Sequence, residues 1–448
     1  MSRFKERGFA VYIVGGTVRD ALMGRSTQDY DLATDATPDE IIAIFPDYKT
    51  LLVGKQFGTI VLIAEANQLE ITTYREDGTY EDGRHPNEVR YAATIYEDLQ
   101  RRDFTMNALA YSPEEGLIDS FGGWEDIQSG IIRCVGSAER RFSEDRLRML
   151  RALRFAAQLN FNLDESVIAG IRGQADQIHA VSQERIGQEL SKLLLSEYPA
   201  KGLRLMQQTG LLDEILPELT PTVGYDQRCS HHDLELFEHI LQVVQYTPRD
   251  LTTRLAALFH DIGKPDTFSL REDGEGHYYG HPKVSSQLAR QIMTRLRYSN
   301  GMIDEVTRLI ERHMDSVNIY TDKSIKKLLA RMDQLVFKLF DLQSADILAT
   351  NHMEFRTNVE WGRQKAQDFL RDNVPVNQGA LAIDGHDLLD IGIPQGILLG
   401  AILRDLTDYV LEDAKRNERQ ILIQQARRLY QNRQLQGNID DHNRGEDE

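Results

Sequence analysis

Two patterns of hydrophobic and polar positions divide the chain. From Gly8 to about Val135, short apolar stretches alternate with glycines and polar turns, which is typical of mixed α/β structure. From about Ser137 onward, apolar residues recur at the spacing of amphipathic helices, and stretches typical of strands nearly vanish. The pattern therefore predicts an α+β domain at the start of the chain, followed by an all-helical remainder.

Local signals predict the first elements. The apolar run Val11–Val14 predicts a strand that ends at two glycines, and Thr59–Ala64 together with residues 69–74 predicts a β-hairpin. Residues 37–40 predict a helix start, because Thr37 suits the N-cap, a proline suits the first helical position and a glutamate completes a capping box. The first domain should therefore contain short strands and capped helices.

A pattern typical of phosphate and metal binding follows the first strand. Gly15 and Gly16 lie where a strand opens into a helix, and there backbone N–H groups can approach a phosphate closely. Asp29 and Asp31 are two residues apart, so both carboxylates point to the same side of an extended segment. Each signal alone is more often a turn or a solvated loop. In this order, with Arg19 one helical turn after the glycines, they predict a site for Mg²⁺ and a substrate phosphate.

Composition is that of a globular protein with room for roughly two to four domains. The 448 residues are 41% hydrophobic and 27% charged. No apolar run reaches about eighteen residues, and the N-terminus has no apolar signal core, so we expect a cytoplasmic location. Cys134 and Cys229 are too few and too far apart to favour a disulfide framework or a zinc–thiolate site.

Charge is distributed unevenly along the chain. The net charge of −18 argues against general nucleic-acid coating, because phosphate binding usually needs a basic surface. Arginines nevertheless cluster, since residues 139–154 contain six arginines and three acids. A basic stripe on an acidic protein indicates a selective site for RNA or for a triphosphate.

The glycines, the arginine and the acids belong to a longer string, GGxVRDxLxGxxxxDxDxxT. This string resembles the signature of the polymerase-β-like nucleotidyltransferases and, in full, that of the class II tRNA nucleotidyltransferase (CCA-adding) and bacterial poly(A) polymerase family. The matching residues are Gly15, Gly16, Val18, Arg19, Asp20, Leu22, Gly24, Asp29, Asp31 and Thr34. The resemblance implies an α+β fold with a polymerase-β-like head and a small mixed sheet. An all-α neck, a body with an HD domain and a tail would follow.

The resemblance covers nearly the whole chain and also implies domain boundaries. The head is expected at 1–136, a helical neck and body with the nucleotide-templating helix at 137–225, an HD domain at 226–350 and a tRNA-binding helical tail at 351–448. Roughly the last ten residues are expected to be disordered, because they are polar and mostly charged.

In the head, the resemblance implies that Asp29, Asp31 and Glu70 are catalytic and hold two Mg²⁺ ions. On a strand, Glu70 and Thr72 share one face, so an ordinary exposed position is the competing interpretation of Glu70. Residues 75–90 are polar and punctuated by glycines, which predicts a mobile loop. The resemblance implies that this loop serves the switch to adding A.

Residues 101–108 match the family motif RRDFTxNA. Arginines offer charge-assisted contacts to phosphate, a carboxylate accepts from a ribose hydroxyl, and an amide can bond to a sugar. We therefore expect Arg102, Asp103 and Asn107 to bind nucleotide, together with Gly15, Gly16 and Arg19. A helix N-terminus capped by Asp103 is the competing interpretation.

The arginine cluster contains a second family motif, EDxxR. On a helix, Asp145 and Arg148 would be neighbours, and the ordinary interpretation is a surface ion pair worth at most about 1 kcal/mol. The resemblance implies instead that this pair reads the Watson–Crick edge of a base and accepts C and A. Arg151 and Arg154 are expected to hold phosphate or the helix, and residues 184–190 to brace that helix.

Histidines and acids form another pattern from about residue 230 to residue 350. Lone histidines are usually surface or core residues, but an adjacent His260 and Asp261 inside an apolar helix are far less common. The pattern resembles HD-domain phosphohydrolases, whose imidazole and carboxylate ligands suit Mn²⁺, Ni²⁺ or a similar ion. The expected ligands are His239, His260, Asp261, His281, His313 and Asp346. Such a site would activate water against a phosphoester, such as a 2′,3′-cyclic phosphate or a 2′-nucleotide.

Together these features predict an enzyme that adds CCA to the 3′ end of tRNA from CTP and ATP without a nucleic-acid template. The alternatives within the fold are an A-adding partner of a CC-adding enzyme and a poly(A) polymerase. Alternatives of other classes are an HD phosphohydrolase with a non-catalytic RNA-binding head and a non-enzymatic RNA-binding scaffold. We expect no membrane and no DNA partner, and the sequence leaves the oligomeric state open.

Overall fold

The computed structural model describes residues 1–27, 30–52, 55, 58–64, 67–76, 90–228, 234–270, 275–315, 317, 319–350, 353–372, 379 and 381–443. Of residues 67, 76, 90, 353, 414 and 434–443 it describes the backbone alone. Within these ranges, no helix has both the length and the apolar character that crossing a membrane requires.

The N-terminal domain combines short strands with short helices. Its helices are α1 (Ser2–Glu6), α2 (Gly16–Leu22), α3 (Pro38–Ile44), α4 (Ile95–Gln100) and α5 (Gly123–Ser129). Its strands are β1 (Val11–Val14), β2 (Tyr30–Thr34), β3 (Lys49–Leu51), β4 (Thr59–Ala64), β5 (Asn67–Thr73), β6 (Arg75–Glu76), β7 (Arg90–Tyr91), β8 (Ala110–Ser112), β9 (Gly116–Ile118) and β10 (Ile131–Ile132).

The main sheet of this domain has the strand order β3-β4-β5-β2-β1-β8-β9. Strands β2 and β5 are parallel, and the other neighbouring pairs are antiparallel. Side chains alternate between two cores: Val11 and Leu32 pack with α1 and α3, whereas Tyr12 and Ala33 pack with α4. The mixed sheet and the hairpin of β4 and β5 confirm the predicted fold of the head.

The predicted helix start at Thr37 is also confirmed. The Thr37 hydroxyl accepts from the Glu40 backbone N–H, the Glu40 carboxylate accepts from the Thr37 N–H, and Pro38 occupies the first position of α3. The capping box thus fixes the direction in which α3 leaves the sheet edge.

After Ser137 the chain is helical, as predicted. The helices are α6 (Ala138–Glu144), α7 (Leu147–Leu159), α8 (Glu165–Arg172), α9 (Gln183–Leu194), α10 (Pro199–Thr209), α11 (Leu211–Ile215), α12 (Leu236–Tyr246), α13 (Leu251–Phe259), α14 (His281–Arg295), α15 (Asn300–Arg312), α16 (Asp322–Met332), α17 (Leu335–Thr350), α18 (Met353–Arg371), α19 (Gly385–Asp390), α20 (Ile397–Glu412) and α21 (Arg419–Asn443). Short strands remain at β11 (Asn162–Leu163), β12 (Ser269–Leu270) and β13 (Gly276–His277).

One hydrophobic core runs through the neck and the HD region into α18. Helices α9 and α14 approach closely within this core, because a Cβ on Gly187 would lie only 2.5 Å from the Leu296 carbonyl oxygen. The tail has a separate core, built from residues such as Leu388 and Leu406. Helix α21 continues to Asn443.

Candidate functional site

Most of the predicted nucleotide site lies in one cleft between the head sheet and the helices α7 and α9. The cavity has a volume of about 490 Å³. Its lining includes the predicted residues Gly16, Arg19, Asp31, Glu70, Arg102, Asp103, Asn107, Asp145, Arg148 and Arg151. Asp29 lies outside the described residues. The acids of the head and the arginine-rich helix therefore share a cleft, as the predicted activity requires.

Two neighbouring strands present the described acids. Asp31 on β2 and Glu70 on β5 are directly paired in parallel register, so both side chains leave the same face of the sheet. The hydroxyl oxygens of Thr59 and Thr72, which also line the cavity, are 3.0 Å apart. The exposed Glu70 carboxylate thus faces the cavity that Asp31 lines, rather than an open surface.

Glycine is favoured at position 15, the N-cap of α2, by its backbone conformation. Its φ of 70° lies in the left-handed region, and a Cβ there would lie 2.6 Å from Arg102 Nη1. One turn later, the buried Arg19 donates from Nη1 to Asn107 Oδ1 at 2.7 Å. Glycine therefore lets the RRDFTxNA segment pack against the strand–helix turn, although Gly15 itself is not part of the cavity lining.

Asp103 orients an arginine of the templating helix. Its Oδ2 accepts from Arg151 Nε at 2.8 Å and Nη2 at 2.6 Å, and its Oδ1 accepts from Asn107 Nδ2 at 3.2 Å and the Phe104 N–H at 2.9 Å. Burial alone would raise the pKa of Asp103, but Arg151 and Arg148 lower it to about 2. Both Asp103 oxygens thus accept hydrogen bonds from protein groups. These bonds support a role in positioning Arg151, in addition to the predicted contact with the ribose.

Asp145 and Arg148 both line the cleft, but they do not lie on one helix, and that prediction is wrong. Asp145 is extended (φ −144°, ψ 107°) between α6 and α7, and its Oδ1 accepts from the Leu147 N–H at 3.0 Å. An Asp carboxylate that accepts from the N–H two residues later stabilises a local turn with a non-helical backbone, which explains the break. Arg148 donates from Nη1 to Glu144 Oε2 at 2.7 Å and from Nη2 to the Arg101 carbonyl at 3.2 Å.

Helix α9 contacts both Asp145 and α7, as expected of a bracing helix. Arg185 Nη2 donates to Asp145 Oδ2 at 3.0 Å. Glu189 accepts from Arg154 Nε at 2.6 Å, and the Arg154 guanidinium lies 4.0 Å from the centre of the Phe155 ring. The structure therefore places Arg154 in a buried ion pair away from the cavity lining, which supports the helix-stabilising alternative over phosphate binding.

The six predicted HD ligands come together from five parts of the helical region. The expectation that His260 and Asp261 lie inside a helix is wrong, because α13 ends at Phe259 and both residues follow it in a turn. They form two groups within which one donor atom of each residue lies within 4.8 Å of the others: His239, His260 and Asp346, and Asp261, His281 and His313. Asp261 lies between them. Its Oδ2 is 3.2 Å from His260 Nε2, and its Oδ1 is 3.2 Å from His281 Nε2.

The histidines of this cluster are oriented by backbone carbonyls. The Nδ1 atoms of His260, His281 and His313 lie 2.7–2.8 Å from the carbonyls three residues earlier. With the proton on Nδ1, each Nε2 presents a lone pair to the centre, as in metal-binding histidines. His260 Nε2 is buried and makes no hydrogen bond within the described part of the chain. Burial and the neighbouring histidines lower the pKa of His313 to about 3, which keeps its imidazole neutral.

Several residues of both sites were missed. Arg75, Arg101 and Arg185 line the cleft. Arg101 and Arg185 lie inside the motifs at residues 101–108 and 184–190, and these motifs could have identified them as site residues. Arg75 lies at the start of the polar segment 75–90, and no motif marks it as a site residue. In the HD cluster, the buried Lys264 lies 2.7 Å from Asp261 Oδ2. Its spacing of three residues after Asp261 was visible in the sequence.

Family models match three consecutive parts of the chain. Residues 11–133 match the model described as the poly A polymerase head domain, residues 160–222 that of a probable RNA and SrmB-binding site of polymerase A, and residues 236–351 that of the HD domain. Nucleotidyltransferase and HD domains usually use divalent metals, and the two groups of the HD cluster are candidate ligands.

Three similar proteins are described as CCA-adding enzymes. A CCA-adding enzyme of Geobacillus thermodenitrificans is 46% identical over 209 residues, which span 47% of this chain and only 51% of that relative. A CCA-adding enzyme of Levilactobacillus brevis is 30% identical over 94% of this chain and 95% of its own length. The crystal structure of the Bacillus stearothermophilus CCA-adding enzyme in complex with CTP matches with a TM-score of 0.75 at 29% identity, over 98% of this chain and 97% of that one. The chain thus belongs to the family of CCA-adding enzymes.

Proposed function

We propose that this protein adds CCA to the 3′ end of tRNA, using CTP and ATP, in the cytoplasm. The observation that carries the proposal is that strand-borne acids and an arginine-rich helix line the same cleft. A relative that is 29% identical over nearly its full length was solved in complex with CTP. The tail would contribute tRNA binding.

Asp31 and Glu70, with Asp29, are the residues that would hold Mg²⁺ in the head. Paired carboxylates on adjacent parallel strands provide the oxygen-only ligands that this ion prefers. When bound, two such ions lower the pKa of the tRNA 3′-hydroxyl and neutralise the departing pyrophosphate. The protein would otherwise act by positioning, without a covalent intermediate.

Base selection would come from Asp145 and Arg148. The carboxylate of Asp145 offers an acceptor and the guanidinium of Arg148 offers donors, and Arg185 and Glu144 hold them in place. This pair would accept the edges of C and A and reject those of G and U. Arg19, Arg102 and Arg151 would bind the triphosphate, because guanidinium groups bind phosphate oxygens through paired hydrogen bonds.

A nucleotide-incorporation assay on defined tRNA ends tests the proposal. The protein is incubated with Mg²⁺, CTP and ATP and with a tRNA that lacks CCA or one that ends in C-C. Addition of C, C and A to the first substrate is the expected result. Addition of A to the C-C end alone would replace the proposal with an A-adding enzyme, and untemplated runs of A would indicate a poly(A) polymerase. Binding without incorporation would indicate a scaffold.

The HD cluster supports a second activity, hydrolysis of phosphoesters such as 2′,3′-cyclic phosphates or 2′-nucleotides. Two neighbouring donor groups, with one Asp261 oxygen 3.2 Å from His260 Nε2 and the other 3.2 Å from His281 Nε2, fit a pair of ions such as Mn²⁺ or Ni²⁺, because imidazole and carboxylate together suit such metals. When bound, the ions supply an activated water. Hydrolysis of 2′,3′-cyclic AMP that needs a transition metal is the expected result. A protein that binds Mn²⁺ but hydrolyses no phosphoester would reduce the cluster to a structural site.

A further inference from the structure

A buried carboxylate just before the RRDFTxNA motif pairs with two arginines of the cleft. Asp98 is in the last turn of α4, and its side chain is 1% exposed. Its Oδ1 accepts from Arg101 Nε at 3.0 Å and Nη2 at 2.7 Å, and its Oδ2 accepts from Arg102 Nη2 at 3.2 Å. One carboxylate thus holds two consecutive arginines, because a helix end places residues i+3 and i+4 beside residue i.

Both arginines line the nucleotide cavity, and their side chains are 15% and 20% exposed. Two adjacent guanidinium groups repel each other, and long side chains lose conformational freedom when they are ordered. A shared carboxylate offsets both effects, since it fixes Arg101 through a two-point contact and compensates the paired positive charge. The same contacts order the two arginine side chains at the cavity before an anionic substrate binds.

Asp98 also connects three walls of the cleft. Its Oδ1 accepts from the Arg75 N–H at 3.4 Å, next to the strand that carries Glu70. The Arg101 carbonyl accepts from Arg148 Nη2 at 3.2 Å. Arg102 packs against Gly15 at the start of α2, which completes the third wall. The contact with Arg148 is made by the backbone of Arg101, so a change at the Asp98 side chain acts first on the guanidinium groups of Arg101 and Arg102.

We propose that Asp98 is a positioning residue for the triphosphate of the incoming nucleotide, acting through Arg101 and Arg102. The inference rests on the proposed nucleotidyl transfer, because it assigns Arg101 and Arg102 to the phosphates of its substrate. The lowered pKa of Asp98 agrees with it: burial alone would raise this pKa, and the two arginines outweigh burial.

A matched control is present in the same domain. Asp126 is a buried acid that accepts from Thr105 Oγ1 at 2.6 Å and from Arg133 Nε at 3.3 Å, and it is not part of the cavity lining. Asp98→Asn and Asp126→Asn each remove one buried charge that is paired with arginine. Only the first acts on arginines of the cleft. A loss common to both variants would therefore report domain stability, and a loss confined to the first would report phosphate positioning.

The experiment measures binding of inorganic tripolyphosphate and of CTP to the full chain, with KM and kcat for CTP on a tRNA acceptor. For Asp98→Asn we expect about tenfold weaker binding of both ligands and a comparable rise in KM, with inhibition by cytidine, which lacks phosphate, unchanged. Asp126→Asn should bind both ligands like the wild type. Equal tripolyphosphate binding by the two variants would overturn the proposal.

Two further variants separate positioning from folding. Asp98→Glu keeps the charge and should lose only part of the affinity for tripolyphosphate. In an Arg101→Ala/Arg102→Ala background, Asp98→Asn should cause no additional loss, because the groups through which it acts are gone; an additive loss would contradict the inference. If the wild type incorporates no nucleotide, the proposed transfer fails, while tripolyphosphate binding still reports on Asp98.

Discussion

The head cleft and the HD cluster offer divalent ions two different environments. In the cleft, Asp31 and Glu70 supply oxygen alone, and a cavity of about 490 Å³ lined by arginines leaves room for a triphosphate. In the HD cluster, imidazoles and carboxylates are packed in the helical core, and Asp346, whose side chain is 24% exposed, is the most exposed of the six predicted ligands. Oxygen ligands suit Mg²⁺, whereas imidazole favours transition metals. This difference in donor atoms is the basis for our proposal that the two regions take separate ions and separate substrates.

The two regions also use charge differently. Around the nucleotide cleft, arginines form ion pairs with acids such as Asp98, Asp103 and Glu144. These pairs fix the positions of positively charged groups that can bind an anionic ligand. In the HD cluster, acids and imidazoles face one another, and the buried Lys264 places a cation beside Asp261. Burial raises the pKa of Asp261 on its own, but the nearby His260 and Lys264 lower it well below its usual range.

The largest effect is expected from Asp31→Asn. Loss of a charged ligand at the strand pair should reduce nucleotide incorporation on the order of 10³-fold, while phosphoester hydrolysis by the HD cluster stays unchanged. Single-turnover incorporation of labelled CTP measures the first quantity, and hydrolysis of 2′,3′-cyclic AMP the second. Asp39→Asn, an exposed acid on α3 paired with Lys55, is the control. Parallel loss of both activities would contradict the separation of the two sites.

The reciprocal change is His260→Ala. It removes a buried ligand, so hydrolysis of 2′,3′-cyclic AMP should fall by about 100-fold with nucleotide incorporation unchanged. Removing metal with a chelator and adding back Mn²⁺ should abolish and restore hydrolysis in the wild type. His179→Ala serves as control, because His179 is exposed and pairs with Glu214 far from the cluster. Hydrolysis that survives in His260→Ala would mean that another part of the chain carries it.

A smaller effect, on selectivity, is expected from Asp145→Ala. Loss of one partner of a base-reading pair costs about 1–3 kcal/mol of discrimination, so preference for C and A over U should fall by roughly 10- to 100-fold. The dependence of the rate on Mg²⁺ should not change, because Asp31 and Glu70 are intact. Competition between labelled CTP and UTP measures the ratio. Glu139→Ala, on the exposed side of α6, is the control, and an unchanged ratio in Asp145→Ala would remove the template assignment.

Features decided by neighbouring residues were predictable from the sequence. The alternation of β2 and β5 and the capping box at Thr37 follow from local spacing, and both are present. The prediction that Asp145 lies on the helix was wrong because its carboxylate accepts from the N–H two residues later, which favours a turn over a helix. Both outcomes, helix and turn, involve only neighbouring residues, so local spacing does not decide which hydrogen bond the Asp145 carboxylate makes.

Features decided by packing between distant segments were not predictable from spacing. Arg185 meets Asp145 across 40 positions, and Arg151 meets Asp103 across 48. Charged residues of either sign would satisfy the local helical pattern, so only the folded arrangement identifies the partners. The HD ligands were found because a resemblance supplied their spacing, and the structure then brought them together.

The smallest effect on catalysis is expected from Arg154→Ala, compared with Arg151→Ala on the same helix. Removing Arg154 leaves the buried Glu189 with Lys192 at 3.3 Å as its remaining partner, so the free energy of unfolding should fall by about 3 kcal/mol. At a temperature where the variant is folded, KM and kcat for CTP should be close to those of the wild type.

Arg151→Ala should raise KM for CTP, because Arg151 lines the cavity. Denaturant unfolding and steady-state kinetics measure the two quantities. A raised KM with unchanged stability in Arg154→Ala would instead place Arg154 at the phosphates, and the templating helix would then serve binding along its whole length.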